Sequence, residues 1–160
     1  MNRIRTLLTI AALLLVTTAL SAQDLRTTGT KVADLLARMP ADNPELASRL
    51  MEEMYSLGEE GRGMICGQIV PAGTGDDLRA RYAVSALTAR LSADTDEARK
   101  RQWEKPCIDF MNRSTDREVR SFCMRQLNLI GSELAVKELA EYVTSADMCE
   151  EAVCGPPSVG

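Results

Sequence analysis

The chain has 160 residues, 19 Lys and Arg against 23 Asp and Glu, aromatic content of 4%, and no histidine. Lack of histidine removes Ser-His-Asp and Cys-His nucleophilic arrangements and argues against a zinc site. The acidic balance argues against nucleic acid as a partner, and the scarcity of aromatics argues against a stacked glycan cleft.

Residues 1–22 open with Arg3 and Arg5, continue with an apolar run over positions 7–20, and end in small residues before Gln23. That is the order of a secretory signal peptide. A membrane span needs about 20 apolar residues, and this run has fourteen. No cysteine stands at position 23 to carry a lipid anchor. We therefore expect an exported mature chain, periplasmic or secreted, with no stable membrane span after signal removal. Cleavage there removes two arginines and no acid, which moves the net charge from −4 to −6. The remaining length suits one helix-rich domain.

After a polar lead at 23–30, residues 31–39 place Val32, Leu35, Leu36 and Met39 on one helical face, with Pro40 ending it. Asn43 followed by Pro44 predicts a capped helix start, a stripe of Leu46, Leu50, Met54 and Leu57, and a stop at Gly58. Residues 59–70 read as a helix weakened by Gly61, Gly63 and Gly67, each of which costs about 1 kcal/mol relative to alanine. The segment 71–77 is a loop. Thr74 and Asp77 suggest a capping box for a helix over 76–92, which buries Ala80, Ala83, Val84, Leu87 and Leu91 and exposes Arg79, Ser85, Thr88 and Arg90.

The next helix begins at Asp94 with a stripe of Trp103, Cys107, Phe110 and Met111, and Pro106 should kink or restart it. Residues 114–143 read as a helix, a Gly131-Ser132 hinge and a second helix. The first has its apolar side at Val119, Phe122, Cys123, Leu127 and Ile130, the second at Val136, Leu139, Ala140 and Val143. Residues 147–153 look like the opening of a fourth unit, before a disordered tail at 154–160.

Shifted by 73 positions, Glu45, Leu46, Met54, Leu57 and Gly58 fall on Glu118, Val119, Leu127, Ile130 and Gly131. A shift of 40 lays Asp76, Tyr82, Ala83 and Leu87 on Asp116, Phe122, Cys123 and Leu127. These shifts indicate internal repeats. A helical pair this short has no core of its own and must stack on its neighbours.

Asp116-x-x-Val119-Arg120-x-x-Cys123-x-x-x-Leu127-x-x-Ile130-Gly131 resembles the D-x-x-V-R-x-x-A-x-x-x-L-x-x-[LI]-G pattern of HEAT-repeat proteins. More narrowly it is similar to the bacterial HEAT-like repeats described as bilin-lyase-like. The likeness covers about residues 43–153, although Leu46-Ala47 stands where the pattern has Val-Arg. It implies an all-α fold, a right-handed α-solenoid of stacked helical hairpins of the armadillo type, spanning residues 31–153. It also implies a binding scaffold with no catalytic residue to carry over.

The expected partner is another protein, and a lyase or hydrolase on the same repeats, or a structural spacer or fragment of a longer repeat protein, is the alternative. In such solenoids the second helix of each pair lines the concave side, which nominates Arg101, Lys105, Glu138 and Glu141 as contacts. Asp76 and Asp77, beside Gly73 and Gly75, could bind calcium or an anion, but helix capping explains them as well. The reading includes no metal and no cofactor.

Arg99-Lys100-Arg101 reads as a solvated helix face. Asp116 and Arg120 read as an intrahelical or stacking ion pair, and Tyr82 and Phe122 as core residues. Five cysteines leave at least one without an intrachain partner, and Cys107 and Cys123 fall on apolar faces as core residues. The short apolar segment at 147–153 would leave the last pair uncovered, so self-association through that end is also expected.

Overall fold

The computed structural model describes residues 24–143. The expected signal peptide, the expected fourth unit, the tail, and Cys149 and Cys154 lie outside them. The described chain is all-helical: α1 Thr28–Ala37, α2 Pro44–Ser56, α3 Gly58–Cys66, α4 Leu78–Ser92, α5 Glu97–Arg113, α6 Arg117–Ile130 and α7 Glu133–Ala140. Among the described residues no strand occurs, and no helix is long and apolar enough to cross a membrane.

Capping chemistry sets most of the boundaries. Asn43 accepts the Leu46 amide at 2.8 Å, Asp116 the Val119 amide at 2.9 Å, and Ser132 the Ala135 amide at 3.2 Å. Gly58 and Gly131, also 73 positions apart, take positive φ values of 73° and 66°. The longer repeat is therefore visible in caps and backbone as well as in residue types. Helix α1 starts inside the expected polar lead, because the Thr27 hydroxyl accepts the Thr30 amide at 3.2 Å.

Several expectations are corrected. The Thr74–Asp77 capping box does not form. The Thr74 hydroxyl donates to the Pro71 carbonyl at 2.7 Å, while Asp76 accepts the Leu78 amide at 3.2 Å. The third repeat copy sits in a register of 39 rather than 40, since Asp77 and Asp116 are the N-cap residues of α4 and α6. In that register the buried Ala80, Ala83, Val84 and Leu91 match the buried Val119, Phe122, Cys123 and Ile130.

Pro106 does not interrupt α5, which continues for 17 residues. The helix absorbs the missing amide within a buried, packed stretch that includes Trp103, Cys107 and Ile108. It starts at Glu97 because Asp96 accepts the Ala98 and Arg99 amides at 2.8 and 3.2 Å. Thr88, expected outside, is fully buried as the acceptor for Trp103 Nε1 at 2.9 Å. Tyr82 is exposed, whereas Phe122 is buried as expected.

On α7 the buried residues are Ala135 and Leu139, and Val136 is 60% exposed. That helix packs on α5 and α6. Val136, Ala140 and Val143 point away from both.

Each helix touches its successor and also the helix after that. Consequently α2, α4 and α6 lie side by side in one layer and α1, α3, α5 and α7 in the other. Between them sit Leu50, Met54, Ile65, Leu87, Leu91, Trp103, Met111, Met124 and Leu127, all fully buried. Burial of apolar area on this scale is the main favourable contribution, since each fully buried Leu- or Met-sized side chain contributes about 1.5–3 kcal/mol.

The glycines of α3 divide by role. A β-carbon on Gly61 would lie 2.5 Å from Leu57 Cβ and 3.3 Å from Thr28 Cγ2, so its absence lets α1 and the α2–α3 junction approach. A β-carbon on Gly63 meets nothing within 4 Å. Gly61→Ala should therefore destabilise the fold by about 1–3 kcal/mol despite better helix propensity. Gly63→Ala should stabilise it by about 0.5–1 kcal/mol. Urea unfolding of the two variants checks the opposite signs; equal effects would refute this packing.

Candidate functional site

The outward side of the α3–α5–α7 layer carries the charged surface that the helices position. On α5, Trp103, Glu104, Cys107 and Met111 turn inward, which leaves Arg101, Gln102 and Lys105 exposed one turn apart. Arg101 and Lys105 share a cleft of about 620 Å³ with Tyr55 from α2 and Glu59 and Arg62 from α3. Arg101 also borders a second cleft of about 410 Å³, lined by the α7 cap Ser132 and by Glu133, Leu134 and Lys137 of α7.

Tyr55 organises the floor of the first cleft. Its hydroxyl donates to Gln102 Oε1 at 2.7 Å, and the guanidiniums of Arg62 and Arg99 lie 4.9 and 4.5 Å from its ring centre. Arg62 is only 5% exposed. Its Nη1 donates to the Tyr55 carbonyl at 2.6 Å, at the negative end of the α2 dipole. Its Nε is buried without a partner, and burial pulls the guanidinium below its ordinary pKa. The nearby acid, Glu59, is bonded to Lys105 at 2.8 Å; this exposed pair lowers the Glu59 pKa and raises that of Lys105.

Of the four expected contacts, the structure brings Arg101 and Lys105 together. Glu138, half-buried on α7, and Glu141, exposed just after it, line neither of these clefts. The α7 residues beside Arg101 are Glu133, Leu134 and Lys137. Sequence reasoning missed Tyr55, Arg62 and Lys137. Arg62 lies in the glycine-rich α3, where its charge carried no periodic signal.

The basic run is not a uniform solvated face. Arg99 is half-buried and pairs with Glu52 at 3.1 Å and Asp94 at 3.4 Å; Lys100 pairs with Glu97 at 2.9 Å. Arg90 also reaches Glu52, at 2.8 Å, and this bond is the largest influence lowering the Glu52 pKa. Arg101 makes no ion pair among the described residues.

Asp77, half of the candidate loop site, accepts from Arg81 Nε at 2.8 Å and from the Val70 amide at 3.0 Å. Arg81 continues to Glu118 through two 2.7 Å bonds and lies over the Phe122 ring. Asp76 is exposed and occupied with the Leu78 amide. Among the described residues, no group of three or more His, Cys, Asp or Glu is placed to hold a metal ion. Asp116 caps α6 rather than pairing with Arg120, whose guanidinium lies over the Tyr142 ring.

Cys66, Cys107 and Cys123 are buried free thiols, and the Cys66 and Cys107 sulfurs are 4.0 Å apart. Contact with Cys66 and burial raise the Cys107 thiol pKa, and burial pushes that of Cys123 up to about 12. All three pack as core residues.

Comparison with family models, with curated proteins and with solved structures finds no match.

One carboxyl group is strongly displaced from solvent. Glu104 is fully buried, accepts the Ser132 hydroxyl at 2.6 Å through Oε2, and has no partner for Oε1. Burial raises its pKa above the ordinary 4.5, Ser132 and the cations Arg101 and Lys100 work against that rise, and Glu97 adds to it. Because the folded pKa is the higher one, the unfolded chain releases this proton first, so stability falls as pH rises from about 4.5 to the folded pKa. Glu104→Gln should melt higher than the parent at pH 8, with the difference shrinking toward zero near pH 4. A difference in melting temperature that does not grow with pH would contradict this assignment.

Proposed function

We propose that the chain is an exported protein-interaction scaffold, built as a right-handed α-solenoid of stacked HEAT-like hairpins, whose binding surface is the α3–α5–α7 face. The observation that carries this reading is the pair of adjacent open clefts sharing Arg101, with Lys105 in one and Lys137 in the other. Contacts of each helix with the next two support stacked hairpins, and α1 reaches one helix further, to α4. The matching caps and positive-φ glycines 73 positions apart support the repeat. The signal-like opening supports export toward a protein partner in the bacterial envelope.

The enzyme alternative needs a carboxyl group with a raised pKa, able to hold a proton near neutral pH, that a substrate can reach; Glu59 in the cleft is shifted the other way. Glu104 is perturbed but wholly enclosed, and it is engaged in tying α5 to α7. The scaffold reading is therefore the better supported one.

Affinity capture from envelope extracts tests the surface. Reversing Arg101, Lys105 and Lys137 to Glu should reduce partner recovery about tenfold or more, a loss of about 1.4 kcal/mol. Reversing the exposed Arg79 and Arg125 on the opposite layer should not, and Glu138→Lys with Glu141→Lys should matter less than the first set. Equal losses on both layers would refute the choice of face.

A further inference from the structure

We infer that the cleft at the α2–α3 junction is a seat for a carboxylate, supplied by an acidic side chain of a protein partner, with Arg62 as its buried anchor and Arg101 and Lys105 as its rim. The source of the carboxylate rests on the interaction reading above; the seat itself rests on the geometry of Arg62.

A guanidinium has five N–H donors, and Arg62 is more than nine-tenths buried with Nη1 on the Tyr55 carbonyl and Nε on nothing. Among the described residues no acid lies within ion-pair distance of it. A buried cation without a counter-ion is costly, and a buried donor without an acceptor adds to that cost. An anion seated in the cleft that Arg62 lines relieves the electrostatic part of that cost.

The surroundings favour that arrival. Arg62, Arg101 and Lys105 line the cleft with Glu59 as the acid among them, a local excess of two positive charges on a chain whose net charge is −4. Tyr55 holds the site in shape, because its ring lies against the Arg62 guanidinium and its hydroxyl is fixed on Gln102. Planar guanidinium and planar carboxylate are matched in geometry. The net positive charge attracts a dianion more strongly still, so the choice of carboxylate rests on the protein partner proposed above.

The test is an NMR titration of the mature chain, following the Arg62 Nε–H resonance, assigned by its loss in Arg62→Gln. The probes are the capped peptide Gly-Glu-Glu-Gly, its Gly-Gln-Gln-Gly twin, and inorganic phosphate. The glutamate peptide should shift the resonance saturably, and the glutamine twin should not. Arg101→Gln with Lys105→Gln, both at exposed positions, should weaken that binding about threefold or more.

A resonance that does not move with the glutamate peptide overturns the seat. So does an equal response to the glutamine twin. Phosphate binding as tightly as the peptide overturns the preference for carboxylate. The outcomes are separable from those of the scaffold reading: a silent Arg62 with capture still lost on charge reversal refutes only the seat, and a saturable shift with capture unaffected refutes only the scaffold face.

Discussion

Helix α5 is the constraint on which the described domain depends. At seventeen residues it is the longest of the described helices, and it packs against α3, α4, α6 and α7. Its inward residues each engage a different neighbour: Trp103 donates to Thr88 on α4, Cys107 meets Cys66 on α3, and Glu104 accepts from Ser132 at the start of α7. Arg101 and Lys105 occupy the outward side of the same rod. The core and the candidate binding surface therefore share one rigid element, and packing on one side holds the charges on the other in place.

Between neighbouring units the polar ties are arginine-centred. Glu52 on α2 receives Arg90 from α4 and Arg99 from α5, and Arg81 on α4 reaches Asp77, the Val70 carbonyl and Glu118 on α6. Partly exposed pairs of this kind contribute only about 0–1 kcal/mol each. Their effect is on register. The bidentate Arg81–Glu118 bond is directional and adds to the packing that fixes α4 against α6. Arg62 departs from this pattern, since among the described residues it is the cation most deeply withdrawn from solvent and it lacks such a carboxylate.

What could be read from the sequence was whatever local chemistry decides. The Asn43 cap, the Gly131-Ser132 turn and the stripe of α4 depend on residues within a turn or two of each other, and they stand where periodicity and capping preference put them. The failures are at positions decided from a distance. Thr88 is buried because Trp103, fifteen residues later, needs an acceptor. The Thr74 box fails because Asp77 is drawn to Val70 and Arg81. Pro106 is carried through because packing outweighs one lost amide. On α7, Val136 and Leu139 are equivalent in hydropathy, and only the positions of α5 and α6 decide that Leu139 goes inside. The site divides in the same way: Arg101 and Lys105 followed from helix order, whereas Arg62 and Tyr55 required the junction that brings α2, α3 and α5 together.

The central claim is that one layer supports the stack while the α3–α5–α7 layer receives a partner. Hydrogen–deuterium exchange of the mature chain, alone and saturated with its captured partner, measures this most directly. The account predicts added protection concentrated in residues 58–66 and 97–113, with α4 and α6 unchanged. Added protection confined to α2, α4 and α6, with α3 and α5 unchanged, would contradict it.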